Sequence, residues 1–137
     1  MGYNWEKYLE LAKYLIDNSN KCDEEACLRT SLSRCYYGVR GVLCKHLRTL
    51  NAFPRENNIF IGYFKSSPDR EIFQIGNKLY LLWYSRVNAD YKDNFTLTKN
   101  KVSLNYALAE IIIVEFYKIK SSLVFDHTAN TLSLNKP

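Results

Sequence analysis

The chain contains an arginine and a histidine that together could cleave RNA without a metal ion. Arg40 and His46 are separated by five residues within SRCYYGVRGVLCKHLRTL, residues 33–50. Such cleavage needs a base that takes the proton of the ribose 2′-hydroxyl and a cation that stabilises the charge of the phosphorane. Histidine and arginine suit these two roles. Arg40 and His46 are therefore the candidate catalytic residues.

The spacing of Arg40 and His46 limits this interpretation because both lie in one predicted helix. Their separation corresponds to about 9 Å of rise and about 120° of rotation along an α-helix. One helix therefore cannot direct both side chains at one phosphate, although Arg40 of one copy could meet His46 of a second copy. The alternative is that His46 is a hydrogen-bonded histidine beside the apolar stripe of the same helix. That stripe includes Val39, Leu43 and Leu47.

Basic residues are concentrated in one part of the chain. The formal net charge is +5, and residues 26–55 contain six Lys or Arg residues and no acid. A segment of this composition favours an anionic partner, for which RNA is the natural candidate. The alternative is a solvent-exposed helix face whose charges pair with Asp or Glu elsewhere in the fold. The six residues are Arg29, Arg34, Arg40, Lys45, Arg48 and Arg55.

Two adjacent tyrosines and a further arginine, Arg86, complete the candidate site. Tyr36 falls on the apolar stripe and is predicted to lie in the core, whereas Tyr37 points elsewhere and could hydrogen-bond across the fold or stack on a base. Arg86 and Asp90 are four residues apart, which suits an ion pair on one helix face. The candidate RNA- or nucleotide-binding residues are Arg34, Tyr37, Arg40 and Arg86.

The cysteines and histidines do not have the spacing of a known zinc site, so we expect no metal and no cofactor. His127 has no evident partner. No apolar run approaches the roughly 18 residues that span a bilayer, and the first residues do not resemble a signal peptide. These features predict a cytoplasmic protein without a membrane partner. The four cysteines, predicted to be reduced thiols that act as small apolar residues, are Cys22, Cys27, Cys35 and Cys44.

Apolar residues at helical spacing predict long helices. Asp23 is the expected N-cap of the second helix. Ser67, Pro68 and Asp69 are typical of a helix start and are predicted to be the N-cap, the first-turn proline and a first-turn acid of the third long helix. The long helices are predicted at residues 5–16, 24–50, 68–90 and about 102–121.

The segment 51–68 is predicted to be an irregular insertion in which Ile59–Phe64 forms a short helical turn on the core. Gly38 and Gly41, one turn apart in the second helix, mark the place where a neighbouring helix or a second copy of the chain should pack closely. No segment shows the period-two alternation of a strand.

The predicted fold class is all-α: an up-and-down antiparallel bundle of about four long helices with a short irregular insertion. Residues 1–125 would form this single domain, since a chain of 137 residues can bury a sufficient core. Residues 126–137 are predicted to be a flexible C-terminal tail.

Three motifs occur in an order that is typical of a known family. SLSRCYYGVRGVL resembles a second-helix pattern in which S-R-x-Y-Y precedes small and apolar residues. SRVNADY, residues 85–91, resembles an R-x-x-A-D-Y motif ahead of a last helix, and WEKYLELAKYLI resembles a first helix. The family is the HEPN superfamily (higher eukaryotes and prokaryotes nucleotide-binding domains), and the resemblance covers residues from about 3 to 121.

The resemblance implies an up-and-down helical bundle that forms a homodimer. Many members are metal-independent ribonucleases of toxin–antitoxin and phage-defence systems, and others bind nucleotides or partner proteins without catalysis. Active members carry an Arg, about four to six residues and then a His ahead of the last helix, and the dimer brings two copies into one cleft. In this chain Arg86 matches the arginine, but Tyr91, Lys92 and Asp93 occupy the positions available to the histidine.

The missing histidine predicts a HEPN-like module without catalysis, in a prokaryotic defence or toxin–antitoxin setting. Its expected partners are RNA or a nucleotide, an antitoxin or other defence-system protein, and a second copy of the chain. The site would be a basic cleft lined by the second and third long helices. One alternative is a metal-independent ribonuclease that uses His46 with Arg40 or Arg86 in a composite site at a dimer interface. A purely structural or adaptor bundle is the other.

Overall fold

The computed structural model describes residues 2–52, 54 and 56–135. This part of the chain is mostly helical, with five α-helices and one two-stranded antiparallel sheet. Single 3-10 turns occur at Ser19–Lys21 and Lys120–Ser122. The helices are α1 (Glu6–Asp17), α2 (Glu24–Thr49), α3 (Asn57–Lys65), α4 (Arg70–Tyr91) and α5 (Lys99–Ile119), and the strands are β1 (Leu123–Asp126) and β2 (Thr131–Leu134).

The four long predicted helices correspond to α1, α2, α4 and α5. The prediction for the start of α2 is confirmed, because the Ala26 N–H donates to Asp23 Oδ1 at 2.8 Å. Helix α5 starts earlier than predicted because Thr98 caps it, with its Oγ1 accepting from the Lys101 N–H at 3.2 Å. N-capping side chains therefore set the first residues of α2 and α5, which the spacing of apolar residues alone does not determine.

The start of α4 differs from the prediction. Asp69, not Ser67, is the N-cap residue, and the helix begins at Arg70. The Ser67 hydroxyl accepts from the Asp69 N–H at 3.1 Å, and the Asp69 carboxylate accepts from the Leu134 N–H of β2 at 2.8 Å. The start of α4 is thus tied to the C-terminal hairpin, a contact that the local sequence does not reveal.

The predicted insertion contains a complete helix, α3, rather than a single turn. Its packing on the core is as predicted: Phe60 and Phe64 are fully buried, and their rings meet edge to face with centroids 5.6 Å apart. Helix α3 packs against α4 and β2. The segment ahead of α3, which includes Pro54 and Glu56, approaches α2; Phe53 and Arg55 lie outside the described residues.

The prediction that no segment forms a strand is wrong at the C-terminal end, where β1 and β2 pair as a hairpin. Leu132 is fully buried and Leu123 is nearly so. Each strand has only four residues, too few for alternation to stand out in the sequence. The predicted tail therefore includes the end of β1, the turn and β2, up to Asn135. Lys136 and Pro137 lie outside the described residues.

Gly38 and Gly41 mark the close approach of α1 to α2. A Cβ at Gly38 would lie 3.0 Å from the Tyr8 Cβ, and a Cβ at Gly41 would overlap the ring of Trp5. The neighbouring helix predicted at this position is therefore α1 of the same chain. Helix α1 occupies the place that a second copy would otherwise have taken.

Helix α2 is central, since α1, α4 and α5 all pack against it. One stripe of α2 is buried, and Tyr36 lies in it with no exposed surface, as predicted. The basic residues of α2 consequently lie on its other faces or at its edges. The fully or nearly fully buried stripe consists of Leu28, Leu32, Cys35, Tyr36, Val39, Leu43 and Leu47.

The prediction of four reduced thiols is wrong for one pair, because Cys22 and Cys27 form a disulfide. It links the turn ahead of α2 to the first turn of that helix. Cys35 and Cys44 are free and buried, as predicted. Burial raises the pKa of Cys35 to about 12, so this thiol stays protonated at neutral pH.

Candidate functional site

An open cavity of about 460 Å³ lies between the first residues of α1, the second half of α2 and the segment ahead of α3. We call it the α1–α2 pocket. Positions 37, 41, 44 and 48 of α2 line one wall, because residues three and four apart share a helix face. Trp5 closes the side towards α1. The lining residues are Trp5, Tyr37, Arg40, Gly41, Cys44, Lys45, Arg48, Glu56 and Asn57.

Arg40 is held in the wall of the pocket by the segment around the start of α3. Its Nε donates to Asn57 Oδ1 at 2.9 Å, and the Tyr36 hydroxyl donates to the same oxygen at 2.6 Å. Its two terminal nitrogens donate to the Pro54 carbonyl at 3.3 Å and to Cys44 Sγ at 3.2 Å. The guanidinium is thus fixed in place, with much of its hydrogen-bonding capacity used by the protein itself.

Lys45 and Arg48 differ from Arg40 because both are exposed. Neither side chain forms a hydrogen bond or an ion pair with another residue in the described part of the chain. The acid in the pocket wall is Glu56, the N-cap residue of α3, whose side chain makes no capping hydrogen bond. The pocket therefore offers two uncommitted cations on one side and a carboxylate near α3.

The structure separates His46 from Arg40 within one chain. His46 Nε2 lies 2.9 Å from the carbonyl oxygen of Lys120, and its ring meets Phe116 edge to face. Burial lowers the pKa of His46 below its usual value, so the ring is neutral at pH 7 and Nε2 donates to the carbonyl. His46 thus contacts the end of α5, whereas Arg40 contacts the start of α3. The candidate catalytic pair does not share a site in the single chain.

Arg34, Tyr37 and Arg86 do come together, between α2 and α4. The Tyr37 ring centroid lies 4.9 Å from the guanidinium carbon of Arg86 and 5.7 Å from that of Arg34. Arg86 Nε is 2.9 Å from Asp90 Oδ2, an ion pair whose angle is too bent for a hydrogen bond. Arg86 is 9% exposed, whereas Tyr91, whose ring also contacts the Arg86 guanidinium, is 70% exposed. The charge of Arg86 is therefore compensated within the fold.

Arg34 connects α1 to this cluster. Its guanidinium carbon lies 4.7 Å from the centroid of the Tyr8 ring in α1. A terminal nitrogen donates to Ser33 Oγ at 3.3 Å, and that hydroxyl donates to Asp90 Oδ2 at 3.3 Å. Arg34 Nε is buried without a hydrogen-bond partner among the described residues. Arg34 thus packs between α1, α2 and α4 rather than projecting into solvent.

Arg29 is a structural residue that the sequence did not single out. Its guanidinium donates to the carbonyl oxygens of Ala89 at 2.8 Å, Lys92 at 2.9 Å, Phe95 at 3.1 Å and Asp93 at 3.3 Å. The last carbonyls of a helix have no partner within that helix. Arg29 donates hydrogen bonds to these carbonyls at the end of α4 and to carbonyls of the residues that follow it. No local signal could have shown this, because donor and acceptors are far apart along the chain.

The basic segment of α2 is not neutralised by acids, contrary to the alternative raised by its composition. Within the described residues, only Arg29 of this segment has a carboxylate at ion-pair distance, that of Glu25 at 3.8 Å. Arg55 lies outside the described residues. Arginines of this segment instead contact carbonyl oxygens, an amide oxygen and aromatic rings, which leave their positive charge uncompensated.

Among the described residues, no group of three or more His, Cys, Asp or Glu side chains is placed to hold a metal ion. No helix of that part of the chain is long and apolar enough to cross a membrane. Comparison of the chain with protein-family models, curated proteins and solved structures found no significant match.

Proposed function

We propose that the chain is a HEPN-like module that binds RNA without cleaving it. The observation that carries the proposal is the α1–α2 pocket, where Lys45 and Arg48 have no partner among the described residues and lie beside the rings of Trp5 and Tyr37. Proteins that bind single-stranded nucleic acid combine cations that contact phosphates with aromatic rings on which bases stack. The pocket contains both components.

Each residue has a separate role in this proposal. Lys45 and Arg48 contact phosphate oxygens, because they are exposed and free to reorient. Arg40 adds a fixed positive charge to the wall but few free donors. Trp5 and Tyr37 offer stacking surfaces to bases. Arg34 and Arg86 act indirectly, since their guanidinium groups hold the Tyr37 ring.

The absence of catalysis in the proposal follows from the positions of the candidate base and cation. His46 donates to a backbone carbonyl and lies apart from Arg40. The residues after Arg86 at the family's histidine positions are Tyr91, Lys92 and Asp93. Within the described residues of one chain, His46 and Arg40 therefore do not face the same phosphate.

A metal-independent ribonuclease is the second candidate. The observation in its favour is that His46 lines an open cavity of about 350 Å³ together with Lys45 and Lys120. In a homodimer, Arg40 or Arg86 of one copy would have to reach the His46 of the other. The composite site of this candidate therefore depends on a subunit interface.

The wider setting belongs to the same proposal. Helices α1, α2, α4 and α5 would form the up-and-down antiparallel bundle of the HEPN superfamily, in a cytoplasmic homodimer. The partner protein would be an antitoxin or another component of a prokaryotic defence system. A reducing cytoplasm would hold Cys22 and Cys27 as thiols rather than as a disulfide. Trapping the thiols in cells with an alkylating reagent tests the location, since an unreactive pair would argue against it.

RNA binding can be tested with a labelled single-stranded RNA in EDTA. We compare the wild-type chain with the double variant Lys45→Ala/Arg48→Ala and with the control Lys99→Ala/Lys118→Ala, whose side chains are exposed outside the pocket. Both double variants remove the same charge. The pocket variant should bind about tenfold or more weakly than wild type, and the control should stay within about twofold. Equal losses in the two variants would overturn the proposal.

The same samples distinguish a binder from a ribonuclease. The labelled RNA should remain intact in the presence of wild-type protein, because the candidate pair His46 and Arg40 does not share a site in one chain. Cleavage that is present in wild type and lost in His46→Ala would instead establish the second candidate.

A further inference from the structure

We propose that the α1–α2 pocket binds a single nucleotide that carries a 5′-phosphate monoester. This inference rests on the proposed function and deepens it by naming the ligand. The nucleotide has two sources, the phosphorylated 5′ end of an RNA strand and a free mononucleotide, which share the same chemistry. An internal stretch of RNA lacks the terminal monoester.

The size of the pocket fits one nucleotide. Its volume of about 460 Å³ lies near the lower end of the range of pockets that enclose small ligands, roughly 300–1,000 Å³. Trp5 lines the α1 side, and the opposite side is lined by Asn57, whose side chain accepts a hydrogen bond from Arg40. Both walls are therefore fixed by contacts within the protein.

The charge of the pocket fits a monoester better than a diester. Lys45 and Arg48 are three residues apart and neighbours on the helix surface. Arg40 adds a third positive charge from the same helix. A phosphate monoester carries a charge of about −1.5 to −2 at neutral pH and three terminal oxygens, whereas an internal phosphodiester carries a single charge. Three cations on one wall match the larger charge.

The aromatic wall is preorganised for a base. Trp5 packs directly over Gly41, where a Cβ would overlap its ring. The rings of Tyr3 and Tyr8 meet Trp5 edge to face, with centroids 5.0 Å and 5.1 Å away. Tyr37, the second ring, is held by the neighbouring guanidinium groups. Rings that are already ordered lose little entropy when a base stacks on them.

Glu56 fixes the direction of the ligand. Its carboxylate would repel a phosphate placed beside it, so the phosphate belongs with Lys45 and Arg48. The ribose hydroxyls can donate hydrogen bonds, and the Glu56 carboxylate can accept them. This orientation favours a ribonucleotide over a deoxyribonucleotide, because only the former has the 2′-hydroxyl.

The test uses one short RNA sequence in two forms, with a 5′-phosphate and with a 5′-hydroxyl, together with AMP and adenosine as competitors. The phosphorylated RNA should bind about tenfold more tightly than the hydroxyl form. AMP should displace the phosphorylated RNA, and adenosine should not. Lys45→Ala/Arg48→Ala should abolish the preference for phosphate, whereas Lys99→Ala/Lys118→Ala should keep it.

A further variant tests the aromatic wall. Trp5→Leu keeps an apolar side chain over Gly41 but removes the ring on which a base stacks. The affinity of this variant for AMP should fall at least about fivefold. Its preference for RNA with a 5′-phosphate should be unchanged, because the cations are unchanged. Unchanged AMP affinity in this variant would overturn the assignment of Trp5.

The outcomes separate the ligand assignment from the proposed function. Equal affinity for the two RNA forms, with a loss in Lys45→Ala/Arg48→Ala, would overturn the 5′-nucleotide assignment and leave RNA binding intact. AMP binding that depends on these residues, without binding of either RNA form, would support a free mononucleotide as the ligand and overturn RNA binding. No binding of AMP or RNA would overturn both.

Discussion

The two halves of α2 use their basic residues differently. In the first half, Arg29 donates to the carbonyls at the end of α4, and Arg34 packs against Tyr8 and donates to Ser33. In the second half, Lys45 and Arg48 are exposed, and they have no partner among the described residues. Arg40 lies between the two halves and belongs partly to each, since it is fixed by the fold and also lines the pocket.

This difference shows that a run of basic residues is not a single functional unit. Arg29 and Arg34 of the first half stabilise contacts between helices, so their loss should change stability. Lys45 and Arg48 of the second half contribute little to the fold, so their loss should change ligand affinity.

Removing the guanidinium of Arg29 should have the largest effect on stability. Arg29→Met keeps an apolar stem of similar length but leaves the carbonyls at the end of α4 without their donor. We expect the free energy of unfolding to fall by about 3 kcal/mol, because hydrogen bonds from charged groups contribute about 1.5–3 kcal/mol each and the acceptors are left unpaired. Urea denaturation measures this change.

The matched control is Arg48→Met, an equivalent substitution in the second half of α2. Arg48 is exposed, so its replacement should change the free energy of unfolding by less than about 0.5 kcal/mol. Similar destabilisation by the two variants would break the division between the halves of the helix.

The disulfide sharpens the structural role of the first half. Cys22–Cys27 closes a short loop at the first turn of α2, and the chain-entropy relation for a loop of this length gives about 2 kcal/mol. A reducing agent should lower the stability of wild type by this amount and leave Cys22→Ser/Cys27→Ser unchanged. A wild-type chain that does not respond to reductant would contradict the pairing.

A smaller effect is expected from the titration of His46. Burial lowers its pKa in the folded state, so the unfolded chain, with a pKa near 6.5, takes up the proton first as the pH falls. Stability is therefore present above that pH and is lost as the pH falls through it. His46→Gln, which keeps a donor for the Lys120 carbonyl, should show a shallower loss of melting temperature between about pH 7 and pH 5. A steeper loss in the variant would contradict the shift.

Much of the helical framework could be predicted because its signals are local. The spacing of apolar residues gave the long helices, and Asp23 identified the start of α2 through a contact three residues away. The spacing of Arg86 and Asp90 on one helix indicated their ion pair, which is present. Each of these features depends on residues within about one turn of each other.

Features that depend on distant residues could not be predicted. The carbonyl oxygens that accept from Arg29 lie at and just after the C-terminal end of α4, about 60 residues along the chain. No pattern near Arg29 indicates them. The α1–α2 pocket needs Trp5 and Asn57 beside the same face of α2. The glycines indicated that something packs there but not which helix. The short hairpin strands gave too little alternation to be recognised.

The salt dependence of RNA binding tests the central claim most directly. A Lys or Arg that neutralises a phosphate of a single strand contributes about 0.7 to the slope of log affinity against log salt concentration. Lys45→Ala/Arg48→Ala should therefore reduce the magnitude of the wild-type slope by about 1.4, while its free energy of unfolding stays within about 0.5 kcal/mol of wild type. An unchanged slope in a stably folded variant would contradict the claim that these two cations contact the RNA.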